Sequence, residues 1–218
     1  MLKKLLLGAG CVVAVVAFIG WEVTVAIHDR TARAFHTGNL YTFLDLFSRF
    51  ADTGNRAKAA YQKGDYQTAR RLYQGMADRG NTSAMLPLAV MCAKGQGGPV
   101  DNVEAVKWFR VLADGGNREG QYGMGLSYDT GSGIAQDYKE ALHWYRKSAQ
   151  QGSPAACVNL GAMYVEGHGV AADRIEAQKW FILAGQMGQK NRTMMDRTLT
   201  EDENAQAKKR ADGFRPGK

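Results

Sequence analysis

The chain has 218 residues, of which 45% are hydrophobic and 22% are charged, and it includes 26 glycines, three cysteines and a formal net charge of +7. This apolar fraction excludes intrinsic disorder, and the glycines lack the every-third-residue spacing of collagen. Three cysteines without a C-x-x-C pair exclude a disulfide framework and a cysteine zinc site.

The first 27 residues have the pattern of a signal anchor, in which two lysines precede an apolar run. A helix from Leu5 to Ile27 is about 34 Å long, which is enough for a bilayer core of about 30 Å. The cleavage site is poorly formed, so we predict an uncleaved transmembrane helix, with a cleaved signal peptide as the alternative. The residues that represent this membrane anchor are Leu5, Val13, Phe18 and Trp21.

The very short segment before the apolar run favours translocation of everything after residue 28. We therefore expect a single-pass protein of the bacterial inner membrane whose remaining residues lie in the periplasm. If the signal is cleaved, the alternative is a soluble periplasmic protein.

Residues 28–55 are predicted to be a linker that includes an amphipathic helix. Apolar side chains recur at i, i+3, i+4 and i+7 spacing from Leu40 to Ala51, opposite polar residues. We interpret this helix as a cap on the first repeat. The alternative is that it lies on the membrane or packs into another subunit.

A period of 36 residues follows. Trp108, Trp144 and Trp180 keep this step, and each is followed by an aromatic residue. Glycines, alanines and aspartates at other positions keep it too: Gly80, Gly116, Gly152 and Gly188; Gly95/Gly97, Gly131/Gly133 and Gly167/Gly169; Ala69, Ala105, Ala141 and Ala177; Asp65, Asp101, Asp137 and Asp173. A period of this length is typical of stacked helical hairpins, which bury their apolar faces only by stacking.

Each repeat is predicted to contain two helices, A and B. Helix B begins at an aspartate N-cap, with a glutamate three residues later that completes a capping box, and it ends at a glycine suited to the left-handed conformation. Helix A is expected over 83–94, 119–130 and 155–166. Small residues at Ala89, Gly125 and Gly161 allow helix B to approach closely, and we expect the tryptophans to pack across that gap. The expected core positions of helix A are Leu88, Met124 and Leu160.

The pattern resembles the Sel-1-like repeat family, a tetratricopeptide-related group. In the last repeat the matching residues are Gly161, Tyr164, Gly167-His168-Gly169, Asp173, Ala177, Trp180-Phe181 and Gly188. The first repeat departs from the pattern, since Cys92 replaces the tyrosine and Pro87 is expected to interrupt helix A. The resemblance implies an all-α fold, a short right-handed α-solenoid of helix-turn-helix repeats behind the N-terminal helix.

These patterns predict four domains or segments. They are the anchor at 1–27, the linker at 28–55, the repeats at 56–192, and a C-terminal capping helix with its tail at 193–218. Within the repeats we distinguish a half repeat at 56–82 and full repeats at 83–118, 119–154 and 155–190.

No catalytic or metal-binding motif stands out. The glycine pairs do not follow strands, the four histidines lack metal-ligand spacing, and Ser132 lies in a repeat turn. We expect Cys92 and Cys157 to be buried thiols and the tryptophans to be core residues. The sequence thus predicts a protein that is not an enzyme and that binds no cofactor and no metal.

The charge excess is local. Residues 56–82 have six basic and two acidic side chains, whereas residues 83–192 have eleven basic and ten acidic ones. We therefore expect no nucleic acid partner. The patch is interpreted as a solvated face, with contact to anionic headgroups or an acidic partner as the alternative.

The family resemblance implies a protein-interaction module that presents a concave face lined by helix A. We predict that a protein or peptide partner binds to a strip at i, i+4 and i+7 of these helices: Pro87, Met91 and Lys94; Gly123, Ser127 and Thr130; Asn159, Met163 and Glu166. The function we expect is an accessory subunit or adaptor of an envelope complex. The alternatives that the resemblance implies are a periplasmic inhibitor or immunity protein against a secreted effector, or a periplasmic hydrolase.

Overall fold

The structure, a computed structural model, describes the backbone of residues 16–19 and 22–25 and, with side chains, residues 52–215. Strands β1 (Val16–Ile19) and β2 (Glu22–Val25) pair antiparallel, with Val16 opposite Val25. The helix predicted from Leu5 to Ile27 is therefore wrong for these eight residues, which are mostly β-branched or aromatic and favour extended backbone. The other residues of the predicted anchor, and the amphipathic helix predicted from Leu40, lie outside the described residues.

Ten helices follow within residues 52–215. They are α1 (52–62), α2 (Tyr66–Ala77), α3 (Thr82–Lys94), α4 (Asn102–Asp114), α5 (Arg118–Thr130), α6 (Tyr138–Gln150), α7 (Pro154–Glu166), α8 (Arg174–Leu183), α9 (Gln189–Asp196) and α10 (Glu201–Asp212). Helices α3, α5 and α7 are the A helices and begin one residue before the predicted positions. None of the described helices is both long and apolar enough to cross a bilayer.

The chain divides into two compact units. The first extends to Met91 and includes Gln96–Pro99, and the second includes Cys92–Gly95 and the residues from Val100 onward. In the first unit, α1 and α2 are joined by a tight turn in which Gly64 has a φ of 80°. The carboxylate of Asp65 caps α2 by accepting a 3.1 Å hydrogen bond from the backbone N–H of Thr68.

Pro87 lies inside α3 and does not end it, contrary to the expected interruption. A proline removes the hydrogen bond to the carbonyl four residues earlier, here that of Ser83. Because Ser83 is exposed in the first turn of the helix, water can satisfy that carbonyl.

In the second unit, the aspartate carboxylates cap the first turn of the B helices, as predicted. Asp101 and Asp173 accept hydrogen bonds of 2.9 Å from the backbone N–H groups of Glu104 and Glu176. The predicted return bond from the glutamate is wrong in all three B helices. The backbone N–H groups of Asp101, Asp137 and Asp173 donate at 2.9, 3.0 and 3.0 Å to the carbonyl groups of Cys92, Tyr128 and Tyr164 on the preceding helix A. Glu104 instead accepts a 2.7 Å hydrogen bond from the buried indole N–H of Trp108, which needs an acceptor.

A left-handed glycine is expected at the C-terminal end of each B helix, and the structure confirms it at two of the three positions. Gly116 and Gly152 have φ values of 80° and 79°, as the left-handed C′ position requires. Gly188 does not, with a φ of −85°, because α8 ends early at Leu183 and Gly185, with a φ of 59°, supplies the left-handed residue.

The contact between helices A and B differs in one respect from the expected one. The predicted core residues Leu88, Met124 and Leu160 are all fully buried. However, the ring that fills the gap over the small residue of helix A is the aromatic that follows the tryptophan. A Cβ on Gly125 would lie 2.5 Å from the ring of Tyr145, and one on Gly161 would overlap Phe181. The tryptophans pack elsewhere: Trp144, for example, joins Met124 in a core cluster.

The C-terminal helix α10 packs against α8. It begins with a complete capping box between Thr200 and Glu203, and it buries Ala207 and Ala211. Arg210 donates to Glu176 at 3.1 Å. The described part of the tail is fixed to this end of the unit by Phe214, whose ring lies 5.4 Å from that of Trp180.

Candidate functional site

The structure divides the nine predicted partner-binding residues by burial. Met91, Gly123, Ser127 and Met163 are buried; Pro87 and Asn159 are half-buried; Lys94, Thr130 and Glu166 are exposed. The four buried residues belong to the core and do not line a surface. Gly123, for example, lies so close to the ring of Phe109 that a Cβ there would be 2.5 Å from it.

The solvent-facing side of the A helices in the second unit lies one residue earlier than the predicted strip. On α5 it includes Tyr122, Leu126 and Asp129, and on α7 the equivalent positions Val158, Ala162 and Val165. Residues at i, i+4 and i+7 share one side of a helix. We call these six residues the A-helix face.

The A-helix face exposes two large apolar side chains. Leu126 is 41% exposed and Val165 is 39% exposed, while Tyr122 and Val158 are half-buried against the core below them. A partner that covered Leu126 and Val165 would remove their apolar area from water.

A polar network connects α5 and α7 beside these apolar side chains. Tyr145 of α6 donates a hydrogen bond to a carboxylate oxygen of Asp129 at 3.2 Å, and its hydroxyl accepts one from the side-chain amide of Asn159 at 2.8 Å. Burial, together with the negative charge of Asp129, raises the pKa of Tyr145. The phenol therefore stays protonated and serves as a fixed link between the two half-buried groups.

This network is specific to one of the three full repeats. The positions equivalent to Tyr145 are Phe109 and Phe181, which have no hydroxyl group. The sequence pattern requires only an aromatic residue at these positions, and the tyrosine is the signal in it that the middle repeat differs. Asn159 is the one predicted strip residue that the structure places in this network.

Polar contacts that include carboxylates border the A-helix face at its two ends. Arg118 lies 2.7 Å from Glu119 in the first turn of α5 and lowers the pKa of that carboxyl. After the last turn of α7, His168 lies 3.0 Å from Glu166. The face thus combines an apolar centre with a carboxylate, an amide and charged ends, a composition suited to binding a polypeptide.

Other predicted groups are located in the core. Cys92 and Cys157 are buried, and so are Trp108, Trp144 and Trp180. Within residues 52–215, no three His, Cys, Asp or Glu side chains are grouped so that they could hold a metal ion.

Comparison with known proteins identifies the repeats. The model of the Sel1 repeat matches four segments, residues 57–81, 82–117, 118–153 and 154–189, which together make up more than half of the chain. No curated protein matches the chain.

Two solved structures are similar to this one. The first is a protective antigen present in uropathogenic Escherichia coli strains that displays an SLR fold; it is 27% identical with a TM-score of 0.64, over 78% of this chain and 40% of that chain. The second is a Sel1 repeat protein from Oxalobacter formigenes, 28% identical with a TM-score of 0.60, over 72% of this chain and 70% of that chain. This chain therefore spans less than half the length of the first of them.

Proposed function

Because the chain belongs to the Sel1 repeat family, whose members generally mediate protein–protein interaction, we propose that it is a non-catalytic module that binds a protein or peptide partner on its A-helix face. The observation that carries this proposal is the pair of exposed apolar side chains, Leu126 and Val165, beside the network of Asp129, Tyr145 and Asn159.

The chemistry of this surface limits the partner that it fits. Leu126 and Val165 favour an apolar side chain of the partner, since covering them removes apolar area from water. Asp129 accepts hydrogen bonds only, whereas the Asn159 amide both donates and accepts. A polypeptide segment that carries an apolar residue next to exposed N–H donors is the expected ligand.

Co-purification with matched variants tests this proposal. We would purify the tagged full chain from detergent-solubilised membranes and identify bound proteins by mass spectrometry. Leu126→Asp places a charge on the A-helix face, and Val111→Asp places the same charge on an exposed apolar position of α4, where the side chain is 46% exposed. The proposal expects the partner to be lost with Leu126→Asp and kept with Val111→Asp.

Two results would contradict binding on the A-helix face. If both variants retain the same partner, or both lose it while remaining folded by circular dichroism, the A-helix face is not the binding surface. The identity of the captured protein then separates an accessory subunit or adaptor of an envelope complex, which we favour, from an inhibitor of a secreted effector.

We also propose that the N-terminal apolar segment directs the chain to the bacterial inner membrane, with the repeats in the periplasm. The support is the sequence pattern of two lysines followed by an apolar run. An alkaline phosphatase fusion after residue 215 should be active if the repeats are exported and inactive if they remain in the cytoplasm. The mass of the N-terminal peptide then distinguishes an uncleaved anchor from a cleaved signal.

A further inference from the structure

The first unit contains a cavity that the proposed function does not use. It has a volume of about 480 Å³ and opens beside α2. Five of the residues that line it come from two turns of that helix, and one comes from the loop after α3. The lining residues are Gln67, Thr68, Arg70, Arg71, Gln74 and Gly97.

The guanidinium group of Arg70 is fixed at this cavity. It donates a 3.0 Å hydrogen bond to the backbone carbonyl of Pro99, and it lies so close to Gly98 that a Cβ there would be 2.6 Å from it. A guanidinium has five N–H donors in a rigid planar fork, so one bond to a carbonyl leaves others available. Holding the group in place reduces the conformational entropy that it loses when it binds an anion.

The positive charge at this cavity is not neutralised by an ion pair. Within residues 52–215, no carboxylate oxygen lies within 4.0 Å of a side-chain nitrogen of Arg70 or Arg71. Asp65 is an acidic group on which the positive charge of Arg71 acts through space. Its carboxylate is already engaged by Thr68, whose N–H lowers the pKa of Asp65 before the charge of Arg71 lowers it further.

The remaining polar side chains at the cavity, those of Gln67, Thr68 and Gln74, also contain donors, and each has an acceptor oxygen as well. Gln67 and Gln74 carry side-chain amides, and Gln74 uses one N–H for a 2.9 Å bond to Asp78. Two guanidinium groups and two amides can supply more N–H donors than the two oxygens of a carboxylate need. They match a phosphate group, which presents three acceptor oxygens and up to two negative charges.

We propose that this cavity binds a phosphomonoester, with Arg70 and Arg71 on the phosphate group and the remaining volume occupied by the organic group that carries it. The phosphomonoester belongs either to a soluble metabolite or to a lipid headgroup, and both sources present the same terminal phosphate. Arginine suits this task because its planar fork pairs with phosphate oxygens through two parallel bonds.

Calorimetry with the full chain tests the site. The soluble probe is glycerol 3-phosphate, and acetate is the carboxylate control. The membrane probe is a phosphatidylcholine vesicle that contains phosphatidic acid, measured against vesicles of phosphatidylcholine alone so that any contribution of the N-terminal apolar segment cancels. The variants are Arg71→Gln and Arg70→Gln, with Lys58→Gln as the control that removes an equal charge from an exposed position of α1.

We expect saturable binding of at least one phosphate probe, weakened about tenfold by Arg71→Gln and unchanged by Lys58→Gln. Binding of glycerol 3-phosphate identifies a soluble ligand, and binding of the vesicles alone identifies a headgroup. Arg70→Gln also loses its hydrogen bond to Pro99 and could unfold for that reason. If it does, Arg71→Gln alone tests the site. No saturable binding, equal weakening by Lys58→Gln, or equal binding of acetate would overturn the proposal.

Discussion

The side-chain amide of Asn159 donates a 2.8 Å hydrogen bond to the hydroxyl of Tyr145, a residue of the preceding helix that is fully buried. The ring of Tyr145 packs on Gly125, while its hydroxyl reaches the A-helix face. One side chain thus contributes both to the core of the unit and to the surface that we propose for binding.

Tyr145→Phe should separate these two contributions. The ring stays, as Phe109 and Phe181 show at the equivalent positions, but the hydrogen bonds to Asp129 and from Asn159 are lost. We expect the free energy of unfolding in urea to fall by about 1 kcal/mol.

The control is Tyr122→Phe, which removes another hydroxyl from the same face and should have little effect. A double-mutant cycle with Asn159→Ala should show that the two changes are not additive, because they remove the same bond. Strict additivity would contradict the network.

Gly125→Ala should destabilise the protein through overpacking. The new Cβ would lie 2.5 Å from the buried ring of Tyr145, so the helices would have to separate, at a cost of about 1–3 kcal/mol. Gly115→Ala is the matched control, because its φ is −75° and its nearest neighbours are 3.4 Å away. Thermal unfolding of both variants provides the measurement, and equal midpoints would show that the contact at Gly125 is not tight.

A second pair of glycines separates backbone strain from steric overlap. Both Gly152 and Gly169 have positive φ, but a Cβ on Gly152 meets nothing within 4 Å, whereas one on Gly169 lies 2.6 Å from the backbone of Tyr138. We expect Gly152→Ala to cost about 1 kcal/mol, and Gly169→Ala to cost clearly more. If urea unfolding gives the same cost for both, the close approach at Gly169 does not contribute to stability.

The buried thiol of Cys157 should make stability depend on alkaline pH. Burial raises its pKa from 9.0 to about 11, so the unfolded chain loses this proton first as the pH rises. The contribution is complete below about pH 9 and is lost as the pH passes through 11, on the order of 2 kcal/mol in total. Between pH 8 and pH 10.5, the free energy of unfolding in urea should decrease more for the wild-type chain than for Cys157→Ala. An equal decrease for the two chains would contradict this contribution of Cys157.

The helices and their caps could be predicted from the sequence because the repeat fixes them locally. Asp101 and Asp173 cap their helices through hydrogen bonds to residues only three positions later. The role of Gly116 at a helix end depends only on its own backbone conformation, which is left-handed. The capping boxes are the exception, because a carbonyl group of the preceding helix A accepts the N–H that the glutamate would have bound, as Cys92 does for Asp101 at 2.9 Å.

The surface of the A helices could not be predicted with the same accuracy. Helix α7 is apolar on nearly every side, so the pattern does not show which side faces solvent. On α5, Gly123 and Gly125 are buried without contributing an apolar side chain to the pattern. The predicted strip therefore included core residues such as Met163 and missed Leu126 and Val165, whose exposure is decided by the neighbouring helices.

Site-specific photo-crosslinking in cells tests whether a partner binds to the A-helix face. A photoreactive amino acid would replace Leu126 or Val165 on the A-helix face, and Val111 on α4 as the control. We expect the same crosslinked partner from positions 126 and 165, none from 111, and loss of the crosslink at 126 when Asn159→Ala is added. A partner captured equally from position 111, or from that position alone, would contradict it.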